Sequence, residues 1–117
     1  MQKAFDLQYF HTLFLEEAEK FLATLSPKAA RKVIYNVELA QKTNDPRLFK
    51  KLGDDIWEFR TNYSGDCIRL LAFWDKTDGK NTLVVATNGF VKKTNKVSGN
   101  EIDKASKIRT RYFQSKS

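Results

Sequence analysis

The sequence predicts an α+β fold: a small twisted antiparallel sheet, an N-terminal helical hairpin packed on one of its faces, and a C-terminal helix. Three observations carry this. Apolar residues first recur at helical spacing through two adjacent segments. The period then changes from 3.6 to 2 over three runs separated by short turns. A helical stripe returns at the end. At 117 residues, with 41% hydrophobic and 13% aromatic content, the chain reads as one domain over residues 1–117 with a single core.

Each element has its own signal. Residues 4–9 are apolar-rich and short, and read as a strand. In "HTLFLEEAEKFLATL", Phe14, Ala18, Phe21, Leu22 and Leu25 lie at helical spacing, with Thr12 as N-cap. In "SPKAARKVIYNVELAQK", Ser26 is the N-cap and Pro27 the first helical residue. Ala30, Val33, Ile34, Val37 and Ala40 form its stripe, and "TNDP" stops it. Two amphipathic helices joined this tightly make an antiparallel hairpin.

"IWEFRTNY" alternates, with Trp57, Phe59 and Tyr63 on one face and Glu58 and Arg60 on the other. "YSGD" turns into "CIRLLAFWD", a more apolar and therefore central strand; "KTDGKN" turns into "TLVVAT". Turns this short make the strands antiparallel. Ser98 and Glu101 have capping-box spacing, and Ile102, Ala105, Ile108 and Tyr112 give the last helical stripe. With the hairpin on one sheet face, the other face is expected to be open and to carry Arg60 and Arg69.

Charge narrows the function. The net charge is +7, and residues 1–79 are balanced. Residues 80–117 hold nine Lys/Arg against Glu101 and Asp103, so the excess is one-sided and suits a polyanion. One cysteine, Cys67, permits no internal disulfide and fits a reducing compartment. No run reaches membrane-spanning length and the N-terminus lacks an apolar leader segment, so a cytoplasmic protein without a membrane partner is expected.

The familiar catalytic patterns are missing: no Gly-rich phosphate loop, no CxxC, no HExxH, and a single histidine, His11. No cofactor or metal is expected. Cys67 reads as a buried inert thiol, and Asp54–Asp55 as a turn. What remains is cationic: Lys50, Lys51, Arg60, Arg69, Lys92, Lys93 and Lys96. Arg60 and Arg69 sit inside strands, where a charge needs a partner or a wet cleft. "TNGFVKKTNK" admits two readings, an Asn-Gly hairpin tip or a phosphate platform at the end of a strand.

Three ordered pieces decide between them. "KLGDDIWEFR" is similar to K-L-x-x-x-[LI]-[WY]-E-[LF]-R, and "IRLLAFWD" to Y-R-[IL]-L-x-[FW]. "NGFVKKTNK" with "EIDKA" is similar to H-G-F-x-K-K-[ST]-x-K with E-I-x-x-A. Together they resemble the RelE/ParE toxin superfamily, and within it the phage-related HigB-like toxins of type II toxin–antitoxin systems. The resemblance covers nearly the whole chain.

The resemblance implies a ribosome-dependent mRNA endonuclease, neutralised by a helix-turn-helix antitoxin. It implies cleavage by the RNA 2′-hydroxyl, with basic residues in place of a histidine pair. Carried over by motif, Arg69, Asn88, Lys92 and Lys93 become catalytic candidates. Lys50, Lys51, Arg60 and Lys96 become RNA contacts. The platform reading of residues 87–96 follows, with the Asn-Gly pair coincidental.

Departures also carry meaning. Asn88 stands where the family has histidine, and an amide carries no proton at neutral pH. Ile68 stands in place of a stacking Tyr, and Val97–Ser98 in place of Thr-Pro. An attenuated enzyme is the expectation. Two alternatives stay open: a ParE-like inhibitor of a protein target, and a degenerate homologue that only binds its antitoxin.

Overall fold

The computed structural model describes residues 8–92 and 99–116. Its elements are β1 (His11–Phe14), α1 (Glu16–Thr24), α2 (Pro27–Thr43), β2 (Phe49–Gly53), β3 (Ile56–Tyr63), β4 (Asp66–Asp75), β5 (Leu83–Lys92) and α3 (Gly99–Lys116). The five strands form one sheet in the order β1-β5-β4-β3-β2. The expected α+β architecture is present, with the hairpin α1–α2 on one face of the sheet.

Local chemistry explains most boundaries. The Ser26 hydroxyl accepts from the Ala29 amide, and Pro27 opens α2. Asn44 closes it in the left-handed conformation, φ 53°. The β2–β3 and β3–β4 turns use Asp54–Asp55 and Ser64–Gly65, all with positive φ, the geometry that matches strand twist in two-residue hairpins.

The two sheet faces hold two cores. Beneath the hairpin lie Phe10, Val33, Val37, Phe59, Leu70 and Val84. On the opposite face Ile56, Leu71, Phe73 and Val85 pack against Ala105 of α3. Phe10, Phe59 and Phe73 are fully buried; each such side chain contributes about 1.5–3 kcal/mol relative to exposure. Gly89 lets the hairpin come close, because an added Cβ would overlap the Phe21 ring of α1.

Expectations in four regions need correction. The first described strand is His11–Phe14, where a helix start was expected; the strand reading of residues 4–9 falls mostly on residues 1–7, outside the described residues. Thr12 is no N-cap, because its hydroxyl donates to Gln41 Oε1 at 2.6 Å. Leu15 precedes α1 without a side-chain cap, and Glu16, Glu17 and Glu19 compensate the positive helix end. β1 pairs parallel to β5, so the sheet is mixed at that edge and antiparallel elsewhere.

The second correction is β2, a strand absent from the sequence reading. Its alternation is short and broken by a register shift between Lys51 and Gly53. Third, Cys67 is half-buried rather than buried. Fourth, the face expected to be open is partly covered, because α3 lies on it. Ile102, Tyr112 and Phe113 of that helix need apolar partners and find them there. Within "TNGFVKK", residues 87–92 continue β5 without a turn at Asn88–Gly89, so the hairpin-tip reading fails.

Candidate nucleic-acid interface

Neighbouring antiparallel strands place directly opposed residues on one face. Arg60 of β3 opposes Arg69 of β4, which opposes Phe90 of β5. Two guanidinium groups so close would repel. Glu58, two residues from Arg60 and therefore on the same face, lies between them. Its Oε2 is 3.5 Å from Arg60 Nε and its Oε1 is 3.6 Å from Arg69 Nε. Glu58 and Arg69 are buried, with 3% and 4% exposure, whereas Arg60 is half-buried.

These distances give charge compensation without hydrogen bonds. Glu58 Oε1, Arg60 Nε and Arg69 Nε are buried and lack a hydrogen-bond partner among the described residues. Arg69 Nη1 donates to the Ile68 carbonyl at 3.0 Å. The cluster therefore carries one net positive charge and unspent donors, a combination that attracts an oxyanion.

On β5 the ladder bulges. Gly89 pairs with Leu70 and Ala86 with Ala72, so Thr87 and Asn88 together oppose Leu71. The bulge turns the Asn88 amide toward α3. Its Nδ2 donates to the carbonyl and to Oε1 of Glu101, at 3.2 and 3.1 Å, while Oδ1 accepts from the Thr87 hydroxyl at 3.0 Å. Asn88 is only 2% exposed. Its hydrogen bonds hold the first turn of α3.

The remaining candidates divide. Lys50 opposes Glu58 and so shares the face of the arginines, exposed to solvent. Lys92 opposes Cys67, on the same face and half-buried. Lys50, Arg60, Arg69 and Lys92 thus come together on four adjacent strands. Lys51 opposes Trp57, which packs toward the hairpin, and departs from this group. Lys93 and Lys96 lie outside the described residues.

α3 is fastened at both flanks of this face. Asp75, 2% exposed at the end of β4, accepts from Tyr112 Oη at 2.6 Å, Lys116 Nζ at 2.7 Å and Thr77. Burial alone would raise its carboxyl; the hydrogen bonds from Lys116, Thr77 and Tyr112 outweigh burial and hold it well below the usual carboxylate range. Arg111 pairs with Glu17 of α1, and that hydrogen bond lowers the Glu17 carboxyl.

Glu58 and Arg109 escaped the sequence reading as site residues. Glu58 had a usable signal: opposite charges two apart in a strand, Glu58 and Arg60, share a face and pair. Arg109 had none, since a helical Arg usually faces solvent. It lies over Phe113 and Phe73, 5.2 and 6.0 Å from the ring centres. Among the described residues no group of three or more His, Cys, Asp or Glu side chains converges to hold a metal. No helix of the described residues is long and apolar enough to cross a membrane.

Comparison with known proteins agrees with this architecture. Residues 20–110 match the family of phage-derived Gp49-like proteins. An arginine-to-alanine double variant of the E. coli toxin RelE in its free state superposes with a TM-score of 0.62 at 14% identity, covering 86% of this chain and 97% of that one. The RelBE2 toxin–antitoxin complex from Mycobacterium tuberculosis superposes with a TM-score of 0.56 at 20% identity, covering 73% of this chain and 99% of that one. No curated protein matches the chain. The fold is that of RelE-type toxins, and the chain belongs to the Gp49-like family of phage-derived proteins.

Proposed function

We propose that this protein is the toxin of a type II toxin–antitoxin system, of the HigB-like branch, and cleaves mRNA on the ribosome in the cytoplasm. The observation that carries the reading is the Arg60–Glu58–Arg69 cluster, with Lys50 and Lys92 on the same face. A phosphodiester laid across these strands meets several cations at once.

The reaction is an internal displacement. The RNA 2′-oxygen attacks the adjacent phosphorus, its proton passes to a base, and the P–O5′ bond breaks. The products are a 2′,3′-cyclic phosphate and a 5′-hydroxyl, the latter taking up a proton. Arg69 and Lys92, with Lys93, stabilise the added negative charge on the phosphorus oxygens. Lys50, Arg60 and Lys96 hold the flanking backbone. Asn88 transfers no proton, so turnover is slow relative to a histidine-bearing form. The partner is a helix-turn-helix antitoxin with an acidic segment that folds on this basic surface; the RelBE2 toxin–antitoxin complex, a fold relative, supports the presence of an antitoxin partner.

The test is primer extension on mRNA from cells expressing the chain. Cleavage at discrete sites, lost in Arg69→Ala and in Lys93→Ala, supports the reading; intact mRNA during growth arrest overturns it. One observation favours a second reading. Arg69 is buried and paired inside the protein, and Asn88 is bonded to α3. On that reading the domain binds its antitoxin without cutting RNA, and expression harms no cell.

A further inference from the structure

β4 outruns β3. The last β3–β4 pair is Trp57 with Ala72, whereas β4 continues to Asp75 along β5. The sheet therefore has a step beside Phe73, Trp74 and Asp75. At this step the structure holds a cavity of about 660 Å³, within the size range of small-ligand sites. It lies apart from the arginine cluster: Trp57 is three residues from Arg60 and on the opposite face of β3.

Aromatic and cationic side chains dominate the lining of this cavity. Trp57, Trp74 and Phe113 supply aromatic surface, and Lys51, Lys76 and Arg109 supply positive charge. The indoles are fixed. Trp57 stacks on Phe49 at 4.8 Å and meets Trp74 edge-on at 5.9 Å. Both remain half-buried, so part of each ring faces the opening. Arg109 is held over Phe113, and its ion pair to the exposed Asp55 is long at 3.7 Å. Three cations against that single carboxylate leave the cavity positive.

We propose that this cavity binds a nucleotide: a base against the indole and phenyl faces, its phosphate at Lys51, Lys76 and Arg109. Rigid half-exposed aromatic faces suit the flat surface of a base, which stacks whatever its sequence. Thr77 and Asn81 on the lining offer hydrogen bonds to its edge. An acidic peptide would use the cations but leave the indoles without a flat partner. The site needs none of Arg69, Asn88 or Lys93, so it stands or falls separately from RNA cleavage.

The chain has two tryptophans, and both line the cavity, so tryptophan-selective fluorescence reports on its surroundings. The intact chain is titrated with nucleoside 5′-monophosphates, a short single-stranded oligoribonucleotide, inorganic phosphate, and a peptide of Glu and Phe. Saturable quenching by nucleotides, and none by inorganic phosphate, is expected. Quenching by the oligoribonucleotide alone assigns the site to RNA; quenching by monophosphates as well assigns it to free nucleotides too. A Lys51→Ala/Lys76→Ala double variant should bind roughly tenfold more weakly, as loss of two phosphate contacts implies. Both lysines are exposed, so the fold is kept, and a thermal melt checks this. Lys28→Ala, an exposed lysine away from the cavity, should bind as the parent does. Absence of saturable quenching by any nucleotide overturns the proposal. So does quenching unchanged in the double variant, or a response to the acidic peptide alone.

Discussion

Arg60 and Arg69 face each other across the β3–β4 ladder, and one buried carboxylate, Glu58, lies within 3.6 Å of both. A like-charge pair in the middle of a sheet is thereby made tolerable. The same arrangement leaves donor nitrogens unspent on the face where RNA is proposed to bind.

Removing that carboxylate charge should be costly. Glu58→Gln leaves Arg69 buried without a counter-charge, and the expected loss is about 3 kcal/mol. Urea unfolding of parent and variant measures it. An unchanged midpoint would mean that solvent already screens the pair.

The Asp75 anchor gives a pH signature. Its carboxyl titrates lower in the folded than in the unfolded chain, so the unfolded state takes up its proton first as pH falls. The stabilisation is complete above the unfolded value near about 4 and is lost progressively below it. Melting temperature should therefore drop on acidification beneath that point. Asp75→Asn should melt lower at neutral pH and show a shallower acid dependence. Equal slopes for the two proteins would exclude the anchor as the cause.

Gly89 has a packing role. Gly89→Ala forces the Phe21 ring away from β5, an overpacking cost of about 1–3 kcal/mol. Adding Phe21→Leu should recover part of it. A Gly89→Ala variant as stable as the parent in thermal melts would show that α1 shifts freely.

Asn88→His tests the chemistry. An imidazole restores a proton-carrying group, and cleavage of ribosome-bound mRNA should rise by about 10²-fold or more. The variant also loses at least one of the two hydrogen bonds to Glu101. It should therefore melt lower even as it cleaves faster. Faster cleavage is the decisive readout; a rate equal to the parent would remove position 88 from the mechanism.

The sequence made the hairpin and the three-stranded meander legible because their signals are local. Ser26–Pro27, Ser64–Gly65 and the alternation around Phe59 each act within a few residues. β1 and β2 were not legible for the opposite reason. His11–Phe14 has no periodic signal of its own and is a strand only because β5 offers an edge. β2 is short and bulged. Strand alternation placed Arg60 and Arg69 on one face, and the two do oppose each other. The burial of Arg69 was hidden, since it depends on tertiary packing around its strand. Lys51 illustrates the limit: one step along β2 from Lys50 turns it to the other face.

The parallel pairing of β1 with β5 has a consequence for biogenesis. His11–Phe14 are made early, but their partners Leu83–Ala86 come late. The hairpin turns between β2, β3 and β4 close quickly, whereas this join spans most of the chain and adds a slow long-range step. A nascent or truncated chain that ends before Leu83 keeps an unzipped sheet border, and the late strand that carries Asn88 and Lys92 is the piece that seals it.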